Sequence, residues 1–281
     1  MTTSPNSASR TGTSKPRPTA LSASLPTPSR SLLHWFHRYL RWYLPRHFHS
    51  IRVAHALRFS PRPGVANIVV LNHASWWDPL LCLLLANRLL PAFDHYAPMD
   101  AAALEQYRFF RRLGLFPVEQ GTPRGASQFL RSSPILLSRP NSMLWITPQG
   151  RLSDVREQPH FQPGLASLLH QLGPCRVLPL AIEYPFVEER LPEALALCGQ
   201  PLDFDSSASL SIPELSSQLQ DSLAQTQQEL ARLVTSHDLA PFQSLLAGRS
   251  GTGAVYEYWR RLRAQLTGQP YQPEHGSIRR P

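Results

Sequence analysis

The stretch Asn67-Ile68-Val69-Val70-Leu71-Asn72-His73-Ala74-Ser75-Trp76-Trp77-Asp78-Pro79 reads as a strand, a turn and the start of a helix. Residues 67–71 form a short β-branched run of the kind that makes a buried strand. Asp78 before Pro79 marks a helix start, with Asp78 at the N-cap and Pro79 in the first helical position. Leu80–Ala86 is apolar all round, which predicts a buried helix, and its seven residues are too few to cross a bilayer. Further strands are expected over 113–118, 143–147 and 176–183, with helices between them. Such alternation predicts an α/β fold, a sheet covered by helices on both faces.

His73 and Asp78 are the candidate catalytic pair. A spacing of five is poor for neighbours on one helical face. On a turn ahead of the helix, however, His73 can fold back toward Asp78. The carboxylate then holds one ring N–H and leaves the other nitrogen free as a base, the orienting logic of a catalytic triad without an enzyme nucleophile. Transfer of an acyl group to a hydroxyl needs a base, a group that orients it, and stabilisation of charge on the carbonyl oxygen. With an activated thioester as donor, direct attack by the acceptor hydroxyl suffices.

Asn72-His73-x4-Asp78-Pro79 resembles the first motif of the glycerolipid acyltransferases, the family of 1-acylglycerol-3-phosphate acyltransferase. Three further blocks follow in the family's order. They are Leu113-Gly-Leu-Phe-Pro-Val118, Thr147-Pro-Gln-Gly-Arg-Leu-Ser153 and Val177-Leu-Pro-Leu-Ala181. Phe161-Gln-Pro-Gly164, between the last two, matches the family's aromatic-x-x-Gly step. The resemblance runs from about Asn67 to Ile182. It implies a glycerol-3-phosphate acyltransferase-like mixed sheet, His73 as base and Asp78 as its orienter. It also implies an acceptor site built from Phe116, Pro117, Val118, Gln120, Arg124, Gln149, Gly150 and Arg151. Two blocks depart from the family pattern. Gln120 stands where the family has a phosphate-holding Arg, with Arg124 four residues on as a substitute. Gln149 replaces the family's Glu, and the following Arg falls at Leu152 or the shifted Arg151. Gln149 keeps hydrogen-bonding capacity but not charge, so the change bears on acceptor recognition rather than on the base.

The donor implied is acyl-CoA or acyl-carrier protein, with no other cofactor and no metal. The acceptor implied is a lysophospholipid such as 1-acylglycerol-3-phosphate, in phospholipid biosynthesis. A non-phosphate acceptor, glycolipid or hydroxylated pigment, is the alternative. A second alternative is a lipid-binding protein that has lost catalysis on the same fold, although nothing in packing demands an intact His73–Asp78 pair.

Charge is placed unevenly. All ten cations before Asp78 stand without a single Asp or Glu, which leaves 18 basic against 19 acidic residues in the rest of the chain. The basicity therefore belongs to an attached N-terminal surface. Within it, residues 31–44 (SLLHWFHRYLRWYL) form an amphipathic helix too short and too charged to span a bilayer. Its apolar arc carries Trp35, Trp42 and Tyr43; His34, His37, Arg38 and Arg41 lie opposite. Interfacial aromatics and Arg on the polar face suit a helix lying in the headgroup region, so a peripheral, monotopic protein on the cytoplasmic face of a membrane is expected. Docking of this helix on its own domain is the competing reading. Nucleic acid is not an expected partner, because no recognition module accompanies the basic stretch.

Residues 1–30 are Ser, Thr, Pro and basic residues, a composition that predicts a disordered tail. The chain thus divides into this tail, an interfacial helix region over 31–58, an acyltransferase domain over 59–200 and a helical extension over 201–281. In the extension, Ser211-Ile-Pro-Glu214 has capping-box spacing and Leu215, Leu219, Leu223, Leu230, Leu233 and Val234 follow a helical stripe. A Gly-rich turn at 250–253 and a basic aromatic helix over 255–266 are expected beyond it. Cys82, Cys175 and Cys198 are widely spaced; buried apolar roles in a reducing interior are expected, with no disulfide framework.

Overall fold

The computed structural model describes residues 25–187, 189–205, 209–248 and Arg263. The tail before residue 25, the turn at 250–253 and the helix expected over 255–266 lie outside these residues. A nine-stranded sheet forms from β1 (Ser50–Ala54), β2 (Ala66–Leu71), β3 (Asp94–Asp100), β4 (Leu115–Val118), β5 (Ser142–Ile146), β6 (Cys175–Glu183), β7 (Glu193–Cys198), β8 (Leu202–Phe204) and β9 (Phe242–Ala247). Its order is β4-β3-β5-β2-β6-β7-β1-β9, and β8 pairs beside β6. β2 to β6 all run parallel, whereas β6 meets β7 and β1 meets β9 antiparallel. The expected mixed α/β sheet is what forms.

Among the described residues the α-helices that cover it are α1 (Arg30–Tyr43), α2 (Asp78–Leu89), α3 (Ala101–Gln106), α4 (Pro123–Leu137), α5 (Gly164–Gln171) and α6 (Ile212–Thr235). Along β2, Val69 and Leu71 face the layer of α1 and α2, while Ile68 and Val70 face the layer of α4, α5 and α6. Side chains in a strand alternate faces, so a run that is apolar at every position builds two cores at once. α6 seats Leu215, Leu219 and Leu223 on the second core, and Leu230 and Leu233 against β7. Its start is the expected capping box: Ser211 Oγ accepts from the Glu214 N–H, and Glu214 accepts from the Ser211 N–H at 2.7 Å.

Four details differ from the sequence expectation. Asp78 is the first residue inside α2 rather than its cap, because its carboxylate is drawn back to the preceding turn. β4 starts two residues later than 113, since Leu113 closes a 3₁₀ turn and Gly114 follows at φ 106°. A Cβ on Gly114 would collide with the His95 carbonyl oxygen, so only glycine fits there. The segment after 200 is not wholly helical: β8 and β9 join the sheet. Finally, α1 docks on the domain through Phe36 and Leu40, with Leu44 just beyond it, all in the first core. Trp35 and Trp42 nevertheless stay 61% and 56% exposed.

His95 ties β3 to β5. Its Nδ1 accepts from Trp145 Nε1 and its Nε2 donates to the Leu90 carbonyl, both at 3.0 Å. Burial pushes its pKa down to about 4, against the Leu90 carbonyl and Asp94. A folded pKa below the ordinary value gives stability that is whole above about pH 6.5 and is lost as pH falls toward the depressed value. The expected acid loss from this group is at most roughly 3 kcal/mol. Urea unfolding at stepped pH should show a shallower acid limb in His95→Gln than in the parent; identical limbs would refute the assignment.

Candidate active site

Because β2 to β6 run in parallel, their C-terminal ends share one edge of the sheet, where ligands of open α/β sheets bind. His73 follows β2, Gln149 follows β5, Tyr184 follows β6, and Gln120 follows β4. The pair read from the sequence is formed. His73 Nδ1 lies 2.7 Å from Asp78 Oδ2, with the imidazole 26% exposed and the carboxylate 2% exposed. A carboxylate removed from water is held by converging donors. Asp78 Oδ2 also accepts from the Ser75 N–H at 3.1 Å, and Oδ1 accepts from the Tyr184 hydroxyl at 2.7 Å. Nδ1 therefore carries the proton, which leaves Nε2 as the acceptor nitrogen of the ring.

The turn is fixed from both sides. Asn72 exchanges two hydrogen bonds with Ile182 of β6, at 2.8 and 2.9 Å. Buried Gln149 accepts from the His73 N–H at 3.3 Å and donates to Ser153 Oγ at 2.8 Å, while the Ser153 N–H donates to the His73 carbonyl at 2.9 Å. Gln149 thus clamps the turn after β5 onto the turn that carries His73. An amide performs both halves of this contact without placing a second buried charge beside Asp78.

The remaining residues of the expected acceptor site are spread along the edge. Gly150 supplies a φ of 68° in the turn after β5, and exposed Arg151 pairs with Glu157 at 2.6 Å. Phe116 is fully buried with Tyr96 and Phe129, while Pro117 and Val118 are half-buried, Val118 against the same core. Gln120 and Arg124 follow β4, three strands from β2, or about 14 Å away at the usual strand spacing. Arg124 lies 3.4 Å from Glu119. The structure therefore brings His73, Asp78, Gln149 and Gly150 together and leaves Gln120 and Arg124 at a distance.

Tyr184 was not legible as a site residue, because its bond to Asp78 spans 106 positions of sequence. Burial, with Asp78 beside it, raises its phenol pKa far above the ordinary value, so it remains a donor. Burial also pushes the Cys82 thiol well up, and those of Cys175 and Cys198 to about 11 and about 12. None of the three is poised as a thiolate nucleophile. Trp76 and Trp77, inside the catalytic turn, continue a row of rings. Trp35, Tyr39, Tyr43, Trp77 and Trp76 follow one another at centroid separations of 6.2, 5.1, 6.0 and 4.6 Å.

A buried Asp, a His on the turn before a helix, and this sheet edge make a site suited to base-assisted group transfer. Residues 53–183 match the family model named Acyltransferase. The matched span is the one that carries the His73–Asp78 pair. Its fold is that of the 1-acyl-sn-glycerophosphate (LPA) acyltransferase PlsC from Thermotoga maritima, at 16% identity and a TM-score of 0.50 over 71% of this chain and 80% of that one. No curated protein matches the sequence.

Removal of the Tyr184 hydroxyl leaves one carboxylate oxygen without its donor. Tyr184→Phe is expected to lower kcat about tenfold at nearly unchanged KM, since the lost bond supports the base rather than the substrate. A kcat equal to the parent's would remove Tyr184 from the site.

Proposed function

We propose that the chain is an O-acyltransferase that moves a fatty acyl group from acyl-CoA or acyl-carrier protein to the hydroxyl of a lysophospholipid such as 1-acylglycerol-3-phosphate. The observation that carries this reading is the His73 ring, held through Nδ1 on a buried, triply bonded carboxylate with Nε2 left free. The acceptor O–H gives its proton to Nε2 as its oxygen bonds to the thioester carbonyl carbon. The tetrahedral adduct then expels the thiolate by C–S cleavage, and the imidazolium returns the proton to sulfur. Donor and acceptor are both substrates, and no further cofactor enters the scheme. His73→Ala is expected to cut acyl transfer by at least about a hundredfold with the unfolding midpoint preserved. Turnover near the parent's in the purified variant would sink this mechanism.

A second reading, transfer to a non-phosphate lipid acceptor, has one specific observation in its favour. Arg124 and Arg151, the cations assigned to the acceptor site, are each beside an acid, Glu119 and Glu157. Each acid competes with a phosphate for its cation. Parallel assays with 1-acylglycerol-3-phosphate and with a monoacylglycerol separate the two readings by their relative kcat/KM.

The working place we propose is the cytoplasmic face of a membrane, with the enzyme peripheral and monotopic. No helix among the described residues is long and apolar enough to cross a bilayer. Support comes from Trp35, Trp42 and Trp76, large rings that are each more than half exposed on the ridge leading to the catalytic turn. Such rings favour the interface between headgroups and acyl chains. Because α1 also anchors the first core, point changes test this better than deletion. Trp35→Ala with Trp42→Ala is expected to reduce sedimentation with anionic vesicles several-fold. Equal sedimentation would return α1 to a packing role alone.

A further inference from the structure

A cavity of about 1000 Å³ lies between α1 and the far half of α2. Its roof is the polar stripe of α1: Arg30, His34, His37, Arg38 and Arg41, spaced at three and four residues. The sequence places this stripe on the face away from the apolar arc. In the fold it looks across a hollow instead of into open solvent. The floor is apolar, with Leu83, Ala86 and Phe93, and Asp94 is the one carboxylate in the lining.

Most arginines along the sheet and its loops sit beside an acid. Arg52 has Glu193, Arg58 has Glu229, Arg62 has Asp205 and Arg176 has Asp203. Arg30, Arg38 and Arg41 have no acidic partner within 4.0 Å among the described residues, although they converge on one cavity. His37 adds a buried Nδ1 with no hydrogen-bond partner. Three unpaired guanidiniums and two imidazoles over an apolar floor call for an anion attached to an apolar body. Guanidinium matches phosphate oxygens in planar, two-pronged geometry.

The cavity is not the catalytic site. Asp94 is level with Ser142 and Asn67 with Met143, so Asp94 lies level with Ala66, seven residues before His73. At the usual rise of a strand, that wall is about 20 Å from the imidazole.

We infer that this cavity is a second lipid site, which takes the phosphate head of an anionic phospholipid and is separate from the centre that transfers the acyl group. Trp42, which also lines the cavity, and Trp35 on the same helix are exposed where the attached glycerol and upper acyl carbons would lie. The inference does not depend on acyl transfer, and its test does not read turnover.

The test uses the full chain and short-chain lipids below their micelle concentration, followed by titration calorimetry. Dihexanoyl phosphatidic acid should bind and dihexanoyl phosphatidylcholine should bind at least about tenfold more weakly. Arg38→Glu with Arg41→Glu, both on exposed positions, should abolish the difference, while His73→Ala should leave it intact. Equal binding of the two lipids would overturn the inference. So would a charge-reversed protein that still discriminates, or loss of discrimination in His73→Ala, which would place the lipid in the catalytic site. Inorganic phosphate that binds as tightly as phosphatidic acid would show a phosphate site without lipid character, and would also overturn it.

Discussion

Asp78 is buried at the start of α2, and a carboxylate there persists only if donors reach both of its oxygens. Three do, from three separate places: the His73 ring, the Ser75 backbone and the Tyr184 hydroxyl. Each bond draws one chain segment toward the helix terminus, so the carboxylate organises the turn as much as it orients the His73 ring. The positive end of the α2 dipole favours the same arrangement. Removal of any donor exposes a buried charge to an incomplete shell, which couples the geometry of the base to the integrity of the turn.

Around that point the sheet acts as a rigid jig. β5 and β6 flank β2, and each sends one residue past its end to the catalytic turn, Gln149 from one side and Tyr184 from the other. Asn72 binds the β6 backbone with both ends of its amide. The His73 imidazole is thus positioned by residues just beyond the ends of regular strands, and a side chain held in this way loses little to reorganisation.

Much of this was legible in the sequence, for identifiable reasons. The catalytic pair lies within six consecutive residues, so a local reading found it, and the apolar run of β2 announced a strand buried on both faces. The capping box of α6 and the leucine stripe behind it are local patterns too. What escaped was long-range. Tyr184 meets Asp78 only because β6 lies next to β2, and no spacing records that adjacency. Gln149 looked like a lost charge in an acceptor site, whereas its amide is used within the fold. The α1 pattern held two roles in one arc: Phe36 and Leu40 pack, and the neighbouring rings stay outside. Periodicity measures the width of an apolar face but not how much of it the domain covers.

The strand β1 has a consequence for how the chain comes into being. Ser50 pairs with Glu193, 143 positions later, and the other edge of β1 waits for β9 at residues 242–247. During synthesis at roughly 5–20 residues per second, β1 would be without either neighbour for about ten seconds or more. Throughout that interval Ile51 and Val53 lack the strand neighbours they have in the finished domain. The nascent chain therefore has to keep an apolar strand edge from foreign contacts until its last third has emerged. Efficient production should depend on what shelters that edge, a chaperone or a lipid surface, more than on the stability of the completed fold.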